Sequence, residues 1–213
     1  MPRKRNIKQK TVKVARGLFF LNGYTSVSIE DIIKKADISR KTLYHYFACK
    51  EDILNEVIDD LRDGLTAEIN EVLAKPRIEF TEKLKIIFTN TAVTLSAISA
   101  KFSSNVRKTS PEAWNKITAY KREISQMCFS RLMDEGIEKG HISKDINKDV
   151  ALLTFLIAVD NLFDPLFLDQ LPKDLLGRIP RHPREIFDAI IKVIYEGILT
   201  QETREKYLEK AKK

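Results

Sequence analysis

Only two cysteines stand in 213 residues, Cys49 and Cys128. They are far apart and belong to no CxxC pair, so no disulfide framework is implied. His45, His141 and His182 lack ligand spacing, which argues against a metal centre. Seven glycines, seven prolines and little β-branched alternation leave few signals for strands or long loops, so helices are expected throughout. The apolar run GLFFL is too short for a signal peptide and lies between charges and polar residues. The uncharged, largely apolar stretch Val150 to Val159 falls well below the ~20 residues of a membrane span. A cytoplasmic protein is the expectation. A nucleophile–base pair, metal-ligand spacing and a phosphate-binding glycine loop are all missing, so an enzyme is not expected and no cofactor is implied.

Acidic residues are scarce in one place. Residues 1–50 hold twelve Lys/Arg against Glu30, Asp31 and Asp37, while the whole chain carries +7. The first quarter therefore holds all the excess positive charge, and the rest is slightly acidic. Such asymmetry suggests a polyanion-binding module joined to a near-neutral partner domain.

The periodicity predicts a first helix from about Ile7 to Asn22, with Val12, Ala15 and Phe19 on one face and a stop at Asn22-Gly23. Ser28 and Asp31 make an N-capping pattern for a second helix, whose stripe is Ile29, Ile32, Ile33 and Ala36. After a break at Asp37-Ile38, Ser39 can cap a third helix to about Phe47. A long fourth helix starts near Lys50 and carries one apolar stripe from Leu54 to Val72 until Pro76 breaks it. Helices follow at about 80–96, 100–108 and, opened by Ser110-Pro111, 111–139. Residues 149–163 are apolar on nearly every side, and 183–199 over more than half their surface. Helices without a solvent face must be buried all round, which suggests that a second subunit covers them.

In the third helix, Leu43 and Phe47 lie four residues apart and point inward. Lys41 and His45 point outward, Thr42 and Tyr44 flank them, and Arg40 and Tyr46 lie nearer the packing side. The outer face is basic and aromatic, with hydroxyl donors and no acids, which suits phosphates and base edges in a major groove. A short capped helix, a tight turn and a second helix with this face make a helix-turn-helix.

The segment FFLNGYTSVSIEDIIKKADISRKTLYHYFACKEDIL, Phe19 to Leu54, resembles the tetracycline-repressor (TetR-type) transcriptional regulators. The resemblance covers about a quarter of the chain. It implies an all-α fold with a DNA-binding domain at 1–48 and an effector-binding and dimerisation domain at 49–213. Positions matching Ser39, Arg40, Lys41, Thr42, Tyr44, His45 and Tyr46 would contact a double-stranded operator. Ser28 and Lys50 would contact phosphates, and Tyr24 would pack beneath the domain. The implied function is a homodimeric repressor, paired through 149–163 and 183–199 and released by a small hydrophobic or amphipathic effector. Aromatics such as Phe88, Phe102, Trp114 and Tyr120 are either core or lining of the effector cavity. A DNA-binding regulator without a small-molecule effector is the other reading. Two positions depart from the family: Lys41 stands where Gly is usual, and Cys49, a poor cap, where Ser, Asn or Asp is usual.

Overall fold

The structure is a computed structural model that describes residues 2–96, 100–162, 165–198, 200–203 and 205. It is all-α, as expected: α1 (Pro2–Asn22), α2 (Ile29–Ala36), α3 (Arg40–Tyr46), α4 (Lys50–Leu73), α5 (Phe80–Ser96), α6 (Ala100–Thr109), α7 (Pro111–Glu138), α8 (Lys148–Leu162), α9 (Pro165–Leu168), α10 (Lys173–Leu176) and α11 (Pro183–Ile198). The first helix begins at Pro2, five residues before the expected Ile7. Proline suits a first helical position, because its missing N–H would have no intrahelical partner there. The four-residue helices α9 and α10 were not expected, since so short a segment shows no periodicity.

The chain divides into two compact units, Met1–Thr66 with Ala97–Lys121, and Ala67–Ser96 with Arg122–Lys213. The first unit thus extends past the expected boundary at residue 48, to include the start of α4, all of α6 and the start of α7. Its core gathers Val12, Ala15 and Phe19 of α1, Ile32 of α2, Leu43, Phe47, and Ile53, Leu54 and Val57 of α4. Phe102 and Val106 of α6 join the same cluster. Phe102 meets Phe20 edge-on at 5.0 Å.

Turn chemistry fixes this unit. Asp37 adopts φ 53°, and the chain closes α2 with Asp37 N–H donating to Lys34 O and Ile38 N–H to Ile33 O. Gly23 ends α1 at φ +83°, where a Cβ would stand 2.6 Å from Asn105 Oδ1 and 2.8 Å from Lys101 Cγ. That same Asn105 oxygen accepts from Thr25 Oγ1 at 2.8 Å and from Thr25 N–H at 3.3 Å. Gly23→Ala is therefore expected to destabilise the unit by about 1–3 kcal/mol, through left-handed strain and displacement of Asn105. Urea unfolding at unchanged m-value measures it, and a neutral result would show that the turn can relax.

In the second unit α11 packs against α5 and α8. Phe80, Leu84, Ile87, Leu132 and Met133 are buried, and Phe129 stacks on Phe155 at 5.2 Å. Among them Lys83 is also buried, its side chain 3% exposed. Its ammonium donates to both Glu135 carboxylate oxygens at 2.9 and 3.0 Å and to Leu73 O, at the end of α4, at 3.2 Å. Helix α8 is only partly enclosed. Ala151 and Phe155 are buried, while Val150, Leu153 and Ile157 are exposed, as is Val193 of α11.

Candidate nucleic-acid interface

Helix α3 is held by a cap at one end and a knob on its inner face. Ser39 Oγ accepts from Thr42 N–H at 3.0 Å, and the two hydroxyls meet at 2.8 Å. Leu43 is fully buried and Phe47 follows directly after the helix, so the opposite face must look outward. Lys41, Tyr44 and His45 are exposed there, Tyr44 to 45%. Tyr46 is half-buried and meets His45 edge-on at 5.0 Å. Lys41, Thr42, Tyr44, His45 and Tyr46 together border one shallow concavity. The combination offers an ammonium, two phenols, an imidazole and a hydroxyl along about two helical turns. Such a surface can donate to phosphate oxygens and to acceptors on base edges.

Two flanking residues are placed differently from one another. Ser28 caps α2 in a full capping box, accepting from Asp31 N–H at 3.1 Å while its own N–H and hydroxyl donate to Asp31 Oδ2 at 2.8 and 2.7 Å. These bonds hold the Asp31 carboxyl below its ordinary range. The Ser28 hydroxyl proton is thus directed into the cap. Lys50 stands its ammonium 4.3 Å over the Tyr24 ring. Burial lowers the Lys50 pKa, against a smaller opposing effect of Asp31. Tyr24 itself packs under the unit, edge-on to Phe19 at 5.2 Å, and burial together with Glu51 and Cys49 raises its phenol to about 12.

The cap missing at Cys49 is supplied from within α4. Asp52 Oδ2 accepts from Ala48 N–H at 2.8 Å and Cys49 N–H at 3.3 Å. This is the backward half of a capping box, in which the third helical residue reaches to the cap backbone. Ser110 likewise departs from simple capping, since its buried hydroxyl donates to Glu51.

The positive charge of the first fifty residues is partly neutralised by α4 and α2. Lys8 pairs with Glu56 at 2.6 Å, Arg16 with Asp60 at 2.9 Å, and Arg40 with Glu30. Lys10, Lys13, Lys34, Lys35 and Lys41 are exposed. The basic surface is therefore narrower than the composition suggests.

Of the aromatics named as core or cavity lining, Phe102, Trp114 and Tyr120 lie in the first unit. Phe102 belongs to the core cluster that also holds Leu43, and Trp114 and Tyr120 pack against it. Tyr120 donates its hydroxyl to Asp59 Oδ1 at 2.9 Å, and Arg62 covers its ring at 4.5 Å. Lys116 donates to Asp59 Oδ2 at 2.7 Å. Burial of Asp59 is outweighed by these two hydrogen bonds, so its carboxyl sits below the ordinary range. Phe88 belongs to α5 in the second unit, and its side chain lies outside the described residues. Among the described residues no group of His, Cys, Asp and Glu could hold a metal ion, and no helix is long and apolar enough to cross a membrane.

Residues 12–57 match the family model of bacterial regulatory proteins, tetR family. The chain is 24% identical over 195 residues to the HTH-type transcriptional repressor DhaR of Mycobacterium sp. (strain GP1), covering 91% of this chain and 92% of that one. Among solved structures, a TetR-family transcriptional regulator from Agrobacterium tumefaciens shares the fold at a TM-score of 0.64 and 19% identity, over 92% of this chain and all of that one. The regulator FadR from Bacillus subtilis, solved in complex with stearoyl-CoA, superposes at a TM-score of 0.62 and 18% identity, over 89% and 98%.

Proposed function

We propose, for a chain that belongs to the tetR family of bacterial regulatory proteins, that it is a homodimeric repressor reading a near-palindromic operator with the outer face of α3. The observation that carries this reading is the acid-free exposed face of Lys41, Tyr44 and His45 set opposite the buried Leu43. Tyr44 and His45 read base edges, with Ser39, Arg40, Lys41, Thr42 and Tyr46 around them. Ser28, through its helix N-terminus, and Lys50 hold phosphates. Tyr44→Ala and His45→Ala are each expected to cost about 1–3 kcal/mol on the preferred duplex, with folding retained. Lys50→Ala should instead weaken all duplexes alike and flatten the salt dependence. Competition binding at several salt concentrations separates the two classes. Wild-type affinity in all three variants would remove α3 from the DNA.

Dimerisation is supported by the uncovered stripe Val150, Leu153 and Ile157 on α8, together with Val193 on α11. A second copy applying the same two helices would cover it as a four-helix bundle. Two-fold symmetry then sets two reading heads on two half-sites.

An effector bound in the second unit would release the operator. Fatty-acyl thioesters are the first class to try, because FadR, which shares the fold, is solved with stearoyl-CoA. Helix α4 contributes to both units and is the natural lever, with Gly64 as its soft point. The coupling needed is only ~1–3 kcal/mol. A Cβ at Gly64 would meet open space, so Gly64→Ala should stabilise α4 by about 0.5–1 kcal/mol while weakening effector response. Thermal unfolding with and without acyl-CoA measures both effects.

The effector-free reading is favoured by the placement of Phe102, Trp114 and Tyr120, three aromatics engaged in the core of the DNA-reading unit. A thermal-shift screen in which no compound class stabilises the protein or weakens operator binding would decide for it.

A further inference from the structure

The recognition helix carries a cation that is already held when DNA arrives. Arg40 is the first residue of α3, and its Nη2 donates to Glu30 Oε1 on α2. Both side chains are largely exposed, 67% and 61%. An exposed pair of this kind adds little to fold stability, so stability does not account for it. Nor does local structure. Of the three acids in residues 1–50, Asp31 completes the α2 capping box and Asp37 forms the left-handed end of that helix. Glu30 serves neither purpose, and its place as an acid in the first turn of α2 does not require Arg40. Its carboxylate is tied to Arg40, the first residue of the helix that carries Lys41, Tyr44 and His45.

On the DNA-binding reading above, we propose that Glu30 is a positioning and specificity residue. It holds Arg40 in register across the turn and competes with phosphate for the guanidinium. A guanidinium has five N–H donors in a rigid fork, and one hydrogen bond to Glu30 fixes its direction without saturating it. Arg40 therefore engages fully only where a site offers acceptors in the right place, such as a base edge or a phosphate fixed by the correct docking. On random DNA, Glu30 withholds that contact. The result is weaker non-specific binding and a larger ratio between preferred and random sites.

The test uses the full-length protein and two probes: a random-sequence duplex, and the duplex that the wild-type protein selects from a random pool. Glu30→Gln, isosteric and exposed, should tighten binding to the random duplex and steepen its log–log salt slope by about 0.9, the signature of one added phosphate contact. It should also lower the selected-to-random affinity ratio. Glu30→Asp, which keeps the charge, should stay near wild type. In an Arg40→Ala background Glu30→Gln should leave slope and ratio unchanged. Equal shifts in both backgrounds would show that Glu30 acts only through net charge, and an unchanged slope in the wild-type background would show that Arg40 is not withheld. Either result overturns the proposal while leaving DNA binding intact. Wild-type protein that binds neither duplex in a salt-dependent way would instead overturn the DNA-binding reading itself, and this inference with it.

Discussion

Glu135→Gln is expected to destabilise the second unit by about 3–5 kcal/mol, although no apolar volume is removed. The ammonium of Lys83 is desolvated and has its countercharge in Glu135, 16% exposed, which also accepts from Lys139 at 2.7 Å. Removing that charge leaves a buried cation with an amide oxygen and the Leu73 carbonyl. Burial raises the Glu135 pKa, but hydrogen bonds from Lys139 and Lys83 outweigh it and hold the carboxyl below the ordinary value of 4.5. The sign follows from linkage. A carboxylate depressed on folding contributes its stability above its unfolded pKa, and that contribution is lost as pH falls through the folded one. Acid unfolding should therefore be steep in the wild type below about pH 4.5 and shallower in Glu135→Gln. Replacing both partners, Lys83→Met with Glu135→Leu, should recover most of the loss, because it removes the desolvated charge along with its partner. Urea unfolding at neutral and acid pH distinguishes these cases. A single variant as stable as the wild type would mean that water reaches Lys83.

Much of the fold was legible because its signals are local. The stripes of α1, α2 and α4, the Ser28 and Ser39 caps and the stop at Gly23 are written within one or two turns of sequence. Leu43 and Phe47 pointed inward for the same reason, and the outward residues followed by elimination. What was missed depends on longer reach or on reversed logic. Asp52 caps α4 from inside the helix, so a search for a capping side chain at Cys49 does not find it. Lys83 lies on the Phe80, Leu84 and Ile87 face, and a lysine at an inward position is itself the signal of a buried carboxylate. Its partner, Glu135, is fifty-two residues away, and one sequence does not identify it. The extent of the first unit is of the same kind. That Phe102, Val106 and Trp114 return to the core shared by α1, α2 and α4 is a tertiary fact, which helical spacing does not carry. The ion pairs of Lys8, Arg16 and Arg40 likewise join helices, and counting charges overstates the basic surface.

The second large effect is expected from one methyl-rich side chain at the centre of the site. Helix α3 has seven residues, well below the ~12–15 at which an isolated helix becomes even marginally stable in water. Its persistence therefore rests on the Ser39 cap and on Leu43, which is wholly buried among Phe19, Ile32 and Leu54. Leu43→Ala removes that anchor and leaves a cavity in the common core of α1, α2, α3 and α4, at a cost of about 2–5 kcal/mol. Leu43→Met, close in volume and apolar, should cost less than about 1.5 kcal/mol. The functional consequence differs from that of the outward variants. Tyr44→Ala removes one contact from a fixed surface, whereas Leu43→Ala keeps every contacting residue and loses the spacing between them. Binding to the preferred duplex should then fall further than binding to random DNA, because base readout needs fixed geometry and phosphate attraction does not. Hydrogen exchange reports the cause directly. The Leu43 and Phe47 amides, which donate to Ser39 O and Leu43 O at 3.0 Å, should lose protection in Leu43→Ala and keep it in Leu43→Met. Retained protection with retained stability would show that α3 is held chiefly by its cap, and the inward face would lose its role in presenting Lys41, Tyr44 and His45.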